Sequence, residues 1–486
     1  MLLSLVLLLP LLGGAAIAVG WRHPSVAWVA VATNAVVLAL GVAAAVRVVG
    51  SGPLTGMSGL LRGDALSVFM VVVIGVISLL ASWFGIRTMA LDLAAGRSTP
   101  GRSTGYGVLV QAFVAAMLLA VLAANVAVMW MAVEATTVVT TFLVGHRRTK
   151  GSLEASWKYI VICSVGIALA FFGTVLVYLA SLHAGGHSAD ALDWTSLMAN
   201  ARNFDPSVMR LAFALLVLGY GTKVGLAPMH SWLPDAHSQA PAPISALMSG
   251  VLLTVAFYAI LRFKAVADLT LGVSFSRALL VTVALLSLAV AASLLLTQRD
   301  YKRMLAYHSI EHMGLIALGA AAGIPLAIAA VLLHILGHGI AKSVLFLTSG
   351  EIMAAEGTTE IDGVRALVAR RPALGGVFGI GLLALLGMPP FSLFTSELIM
   401  VRAEFEVGLG WAAVVAVVAM VTIFIAVAGH ARHMLLGPST TEDTPPAPPR
   451  WVSVPLVSAL VCCGLIGVLA WPLSGLLEAA AHVVTK

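Results

Sequence analysis

The spacing of charge constrains this chain more than any other feature. From Ser103 to Gly145 there is one charged residue, Glu134, and between Arg210 and Asp235 there is one, Lys223. An apolar run of roughly 20 residues spans a bilayer as a helix. Such runs recur near 1–20, 25–46, 65–86, 107–123, 125–145, 157–182, 208–231, 243–262, 277–297, 304–322, 325–349, 374–401, 408–431 and 452–472. Charged residues make up 10% of the chain, against about 25% in a soluble domain. The sequence therefore predicts an all-α polytopic membrane protein of about 14 transmembrane helices.

The net charge of +6 does not point to nucleic acid, because the basic residues sit in short loops between apolar runs, where they set topology. No Lys or Arg precedes the first apolar run, so it reads as a retained helix rather than a signal peptide. Cys163, Cys462 and Cys463 have no metal or redox spacing. There is no Gly-rich phosphate loop, haem signature or iron–sulfur ligand set. The expectation is a chain with no cofactor, no metal and no redox centre of its own, whose contacts are lipid, protons and other subunits.

Loops after odd-numbered runs, beginning with Arg22, carry 16 of the 27 Lys and Arg; nine lie on the other side with the termini. This bias predicts a cell-membrane protein with odd loops in the cytoplasm and both termini outside. The connection at 183–207, with His183, His187, Asp190, Asp193 and Asp205, reads as a solvated outer loop, and GPSTTEDTPPAPPR at 437–450 as an extended linker. Proline breaks a helix, and two runs are interrupted, at 226–234 (LAPMHSWLP) and 387–390 (GMPP). Each is the fourth run of a five-run set, which predicts two inverted five-helix repeats and two broken helices. The expected divisions are 1–106 for the first three helices, 107–262 and 263–436 for the repeats, and 437–486 for the linker and last helix.

Ionisable residues inside apolar runs are costly and point to function. Lys223 precedes the first break, which carries His230, Asp235 and His237. A Glu134–Lys223 pair would be either a proton-affinity switch or a static ion pair. His334, His338 and Lys342 recur at i, i+4, i+8, on one helical face over about 12 Å. Imidazoles relay protons near neutrality. Two His at i, i+4 can also bind zinc, but the local sequence supplies no third ligand and no HExxH pattern. YHSIEHMG, with His308, Glu311 and His312, lies beside Arg299, Lys302 and Arg303 and is expected near the cytoplasmic face, as a proton inlet or an interfacial polar cluster. Glu397 follows the second break, as an exit-side proton carrier or a helix-end acid. Taken together, Glu134, Lys223, Lys342 and Glu397 suggest a polar axis at mid-membrane depth.

HSWLPDAHSQAPAPISALMSG, the Lys223 helix before it and HxxxHxxxK after it resemble the proton-translocating antiporter-like subunits of respiratory complex I, Mrp-type antiporters and membrane-bound hydrogenases. GTKVGLAPMHSWLPDAHSQAPAPISALMSG and YHSIEHMG are most similar to the hydrogenase-4 and formate hydrogenlyase branch. The resemblance covers roughly residues 60–430. It implies 14 helices in two inverted repeats, a buried Glu–Lys pair matched by Glu134 and Lys223, a central lysine matched by Lys342, and a terminal acid or lysine matched by Glu397. Thr254 stands where complex I members often carry Lys or His. The function implied is proton conduction in a hydrogenase-type oxidoreductase, with redox chemistry in peripheral partner subunits. A subunit of an Mrp-type sodium/proton antiporter, a quinone-reducing complex I subunit and a non-conducting spacer are the alternatives.

Overall fold

Lipid offers the backbone no hydrogen-bond partner, so these apolar runs must satisfy themselves as helices. The computed structural model describes residues 1–20, 26–186, 190–436, 450–469 and 471–485. The Pro-rich stretch at 437–449, His187 and Arg22 lie outside the described residues.

The chain opens with α1 (Leu2–Val19) and α2 (Ala27–Ser51). A short antiparallel ribbon, β1 (Leu54–Gly56) against β2 (Leu61–Gly63), leads into α3 (Ala65–Ala94). The next group is α4 (Pro100–Leu122), α5 (Val126–Val144), α6 (Lys150–His183), α7 (Trp194–Asn200), α8 (Pro206–Val224), α9 (Trp232–Gln239) and α10 (Ala242–Leu247). A π-helical turn, Met248–Leu252, carries α10 directly into α11 (Leu253–Leu271). Then come α12 (Val273–Leu295), α13 (Tyr301–Ala322), α14 (Pro325–Glu356), α15 (Leu367–Arg370), α16 (Pro372–Leu385), α17 (Ser392–Glu406) and α18 (Gly410–Leu436). The last helices are α19 (Arg450–Val468) and α20 (Trp471–Val484).

Local chemistry explains the starts. Asp64, Thr99, Asn125, Thr149, Asp205 and Asp300 each accept a hydrogen bond from a backbone N–H in the first turn of the helix that follows. Among the described residues, twelve helices are long and apolar enough to cross a membrane. α13 matches them in length but carries a polar row, and α16 with α17 makes a broken segment. In each of the segments Ala242–Leu271 and Pro325–Glu356 an apolar stretch of 18 residues is wholly buried, and these two form the interior shafts. α14 packs against α3, α10, α13, α16, α17, α19 and α20.

The first break is largely covered by protein, as irregular backbone at membrane depth requires, whereas Met388, Pro389 and Pro390 of the second are exposed on this chain. α8 ends at Gly225, whose φ of +83° suits glycine, and a Cβ there would stand 2.4 Å from Leu233 Cδ1. Trp232 Nε1 donates to the Thr222 carbonyl (2.8 Å), and the Ala227 N–H donates to Ser287 Oγ (2.9 Å). Asp235 on α9 is gripped by Lys158 (3.1 Å) and Arg303 (2.9 Å), tying the first break to α6 and α13. At the second break Thr395 Oγ1 donates to the Gly467 carbonyl of α19.

The described part of the segment at 183–207 is more than a loop: α7 buries Trp194 and Leu197, Trp194 meets Phe263 edge-on at 5.5 Å, and Asn125 Nδ2 donates to Asp193 (2.8 Å), while His183, Asp190 and Asp205 are exposed as expected. Its apolar residues recur at helical spacing and cap the ends of α5 and α11. α11 runs to Leu271, past the end of the predicted span at 262, and carries Arg262 and Lys264 paired with Asp64 (2.6 Å) and Asp268 (2.5 Å). The last predicted span is followed by another helix, α20, which packs on α3 and α14.

Candidate functional site

The site is built from α13, α14, α17 and the first break. α14 places His334, His338 and Lys342 one turn apart, and all three are fully buried. α13 crosses this face with His308, Glu311 and His312, also buried. YHSIEHMG starts in the second turn of α13 and runs to its middle, and His312 reaches α14. His312 Nδ1 stands 2.9 Å from His334 Nε2, and His334 Nδ1 stands 2.9 Å from Ser396 Oγ on α17. The rings of His312 and His338 are 5.0 Å apart, and those of His308 and His312 stack at 4.8 Å. His308 Nδ1 lies 3.1 Å from Glu311 Oε2. Each imidazole can accept a proton on one nitrogen and release one from the other, and His312, His334 and Ser396 form a hydrogen-bonded series.

Lys342 Nζ donates to the Leu305 carbonyl of α13 (2.5 Å), and Glu311 is its electrostatic partner. Ser309 Oγ donates to the same carbonyl (3.1 Å) and meets Ser249 Oγ, in the π-helical turn, at 2.8 Å. A polar route therefore leads from Lys342 into the α10–α11 shaft. Thr254, the position where the resemblance points to a missing base, spends its hydroxyl on the Val251 carbonyl. The site's link into this shaft is thus Ser249, one turn earlier. A π-helical turn is a common mark of a functional position.

His237 belongs to this site although it comes from the first break. Its ring stacks on Phe346 of α14 at 4.9 Å, both ring nitrogens lack a partner, and Lys342, Lys302 and His338 are within its electrostatic reach. His230 is half-buried on the same break, and no hydrogen bond joins it to the other candidates. Glu397 is half-buried beside the second break, with its Oε2 against Gly387, and Glu311 senses its charge.

The expected Glu134–Lys223 contact is not made. Lys223 Nζ donates to Thr137 Oγ1 (2.8 Å) and Tyr159 Oη (2.5 Å) and sits 4.7 Å from the Tyr159 ring centre. Glu134, one turn from Thr137 on α5, is half-buried with Oε2 unpartnered, and stays within electrostatic range of Lys223. Hydroxyls took the contact because Thr137 and Tyr159 face α8 directly. The zinc reasoning also changes. His334 and His338 do not form a ligand pair, their rings lying 6.5 Å apart, whereas His312, His334 and Glu397 bring ligand atoms within 4.8 Å of one another. Sequence reasoning passed over Thr137, Tyr159, Ser249, Ser309 and Ser396. Hydroxyls in apolar helices are too common to stand out before the partner helix is known.

A broken-helix bundle with a buried row of His, Lys and Glu marks an antiporter-like class of membrane subunit, and comparison with known proteins agrees. The family described as NADH:quinone oxidoreductase/Mrp antiporter, transmembrane region, matches residues 123–423, and the chain belongs to it. The hydrogenase-4 component F homolog of Methylacidiphilum infernorum is 39% identical over 342 residues, covering 70% of this chain and 72% of that protein. Hydrogenase-4 component B of Escherichia coli is 31% identical; the match covers 69% of this chain and 50% of that protein. Among solved structures, a subunit of an archaeal membrane-bound sulfane sulfur reductase superposes with a TM-score of 0.89 at 24% identity, covering 100% of this chain and 98% of the other. A subunit of the Mrp complex of a Dietzia species gives 0.85 at 22% identity, with 100% and 97% covered. At these identities the likeness is one of fold.

Proposed function

We propose that this chain is the proton-conducting membrane subunit of a hydrogenase-type, complex I-related oxidoreductase, seated in the cell membrane with both termini outside. Its partners would be further membrane and peripheral subunits that carry the redox chemistry. The observation that carries this reading is the hydrogen-bonded series His312–His334–Ser396, with Glu397 within 4.8 Å of both imidazoles and Lys342 within electrostatic reach of His312. The similarity to hydrogenase-4 component F supports the choice of partner.

In this reading a proton on Lys342 passes by way of His338 to the free Nε2 of His312. His312 releases its Nδ1 proton to His334 Nε2, and His334 releases its own Nδ1 proton towards Ser396 and Glu397. Lys223 is the charge-sensing element. A charge shift near Glu134 alters how firmly Lys223 holds its proton, and the low local dielectric strengthens that effect over its value in water.

The test is pH-gradient formation by the reconstituted complex. Glu134→Gln and Lys223→Ala should abolish it while partner redox turnover slows or uncouples; unchanged pumping in both variants would end the proposal. The subunits that co-purify in mild detergent separate this reading from an Mrp-type antiporter: hydrogenase-like proteins support it, and small membrane proteins alone support the antiporter. Normal pumping after Lys342→Ala combined with Glu397→Ala would leave only a spacer role.

A further inference from the structure

We infer that His312, His334 and Glu397 form a binding site for a divalent transition cation of the zinc type. The three side chains come from α13, α14 and α17, and their ligand atoms lie within 4.8 Å of one another. His312 Nδ1 and His334 Nε2 already face each other at 2.9 Å. Zinc bonds imidazole nitrogen at about 2.0–2.1 Å, so a tetrahedral site needs that pair to open by only roughly half an ångström. Two imidazoles and a carboxylate, with a fourth position left for water, is a recurrent zinc ligand set. His334 is oriented for the task. Its Nδ1 is bound to Ser396 Oγ, which can hold the proton on that nitrogen and leave the Nε2 lone pair for a metal.

Charge favours the same occupant. A carboxylate enclosed in a medium of low dielectric is best offset by a cation bound directly to it, which suits a dication against Glu397. Access comes from Glu397, which is half-buried at the second break while the two imidazoles are enclosed. The competing set, His308, Glu311 and His312, lies within little more than one turn of α13, so it draws all its ligands from a single helix. A cation held by three separate helices would also clamp them together.

Binding requires only this geometry and does not depend on the chain conducting protons. Its consequence does rest on the proposed function: a metal on His312 Nδ1 and His334 Nε2 occupies the two atoms between which the proton moves, so it would block the relay.

The experiment is titration of the purified, metal-stripped complex with Co2+, read by the intense visible bands of four-coordinate cobalt, and with Zn2+, read by elemental analysis. One ion per copy of this chain is expected. His334→Gln and Glu397→Gln should each weaken binding at least tenfold, and His308→Gln should leave it unchanged. X-ray absorption at the zinc edge of the wild-type complex should show a nitrogen and oxygen shell with imidazole scattering, which guards against a variant that binds poorly because it folds poorly. Binding that survives in Glu397→Gln and is lost in His308→Gln overturns the assignment, as does a wild-type complex that takes up no ion. Pumping that proves absent while the metal still binds would sink the conduction proposal and leave this one standing.

Discussion

Lys223 donates its ammonium to the phenol of Tyr159, at 2.5 Å, and not to the carboxylate of Glu134. Tyr159 is itself held edge-on by Trp232 at 5.0 Å, and Trp232 donates to the carbonyl of Thr222, the residue before the lysine. The helix that carries the charge, the aromatic that receives it and the break that follows are therefore one unit. A hydrogen bond to a charged group is worth about 1.5–3 kcal/mol. Tyr159→Phe removes it and keeps the ring against Trp232. The expected outcome is an intact complex that pumps roughly tenfold or more slowly, since about 1.4 kcal/mol is a factor of ten. Wild-type rates in vesicles would show that Lys223 does not act through this phenol.

The serine pair Ser249–Ser309 should behave as a single link. If it joins the α10–α11 shaft to Lys342, Ser249→Ala and Ser309→Ala should each slow conduction, and the double variant should be no slower than the worse single one. A double-mutant cycle on thermal stability should give a coupling of about 0.5–1.5 kcal/mol, the range of a single hydrogen bond. Additive effects on rate would mean that the two hydroxyls serve separate purposes.

Gly387 has a φ of +63°, and a Cβ there would stand 2.3 Å from Glu397 Oε2. Gly387→Ala should cost about 1–2 kcal/mol of backbone strain and push the Glu397 carboxylate away from the break. We expect loss of pumping with little loss of assembly. Gly376→Ala is the control, because nothing lies within 4 Å of a Cβ at that position. Equal pumping in the two variants would argue against a role for the Glu397 position.

The Asp64–Arg262 pair, which joins the start of α3 to the middle of α11, makes a pH prediction. Burial pushes the Asp64 carboxyl up, but the Arg262 guanidinium and the bonds from Ser67 outweigh it and hold the group below its usual value. A depressed folded-state value means stability that is fully present above the unfolded pKa, about 3.9, and lost as pH falls through the folded one. The melting temperature of wild type should exceed that of Asp64→Asn at neutral pH, with the gap closing below about pH 4. Arg262→Ala should destabilise by about 3–5 kcal/mol, because it strands a buried carboxylate. The pair Asp64→Asn with Arg262→Met should recover part of that loss.

The sequence alone determined which stretches are helical and apolar, where the two proline breaks fall, and that His334, His338 and Lys342 share one face. These are properties of short-range periodicity and backbone chemistry, legible without knowing what packs against what. The family resemblance was equally legible around 220–262, where the breaks and charges are dense. Tertiary structure alone decided that Lys223 meets Tyr159 and Thr137, that His312 on α13 meets His334 on α14, and that Ser249 rather than Thr254 carries the link across. It also folded Trp194–Asn200 into a packed helix and placed Arg262 and Lys264 inside α11. Partner choice depends on the rotation and crossing of helices far apart in the chain. Those follow from how whole surfaces interlock, which no local pattern encodes.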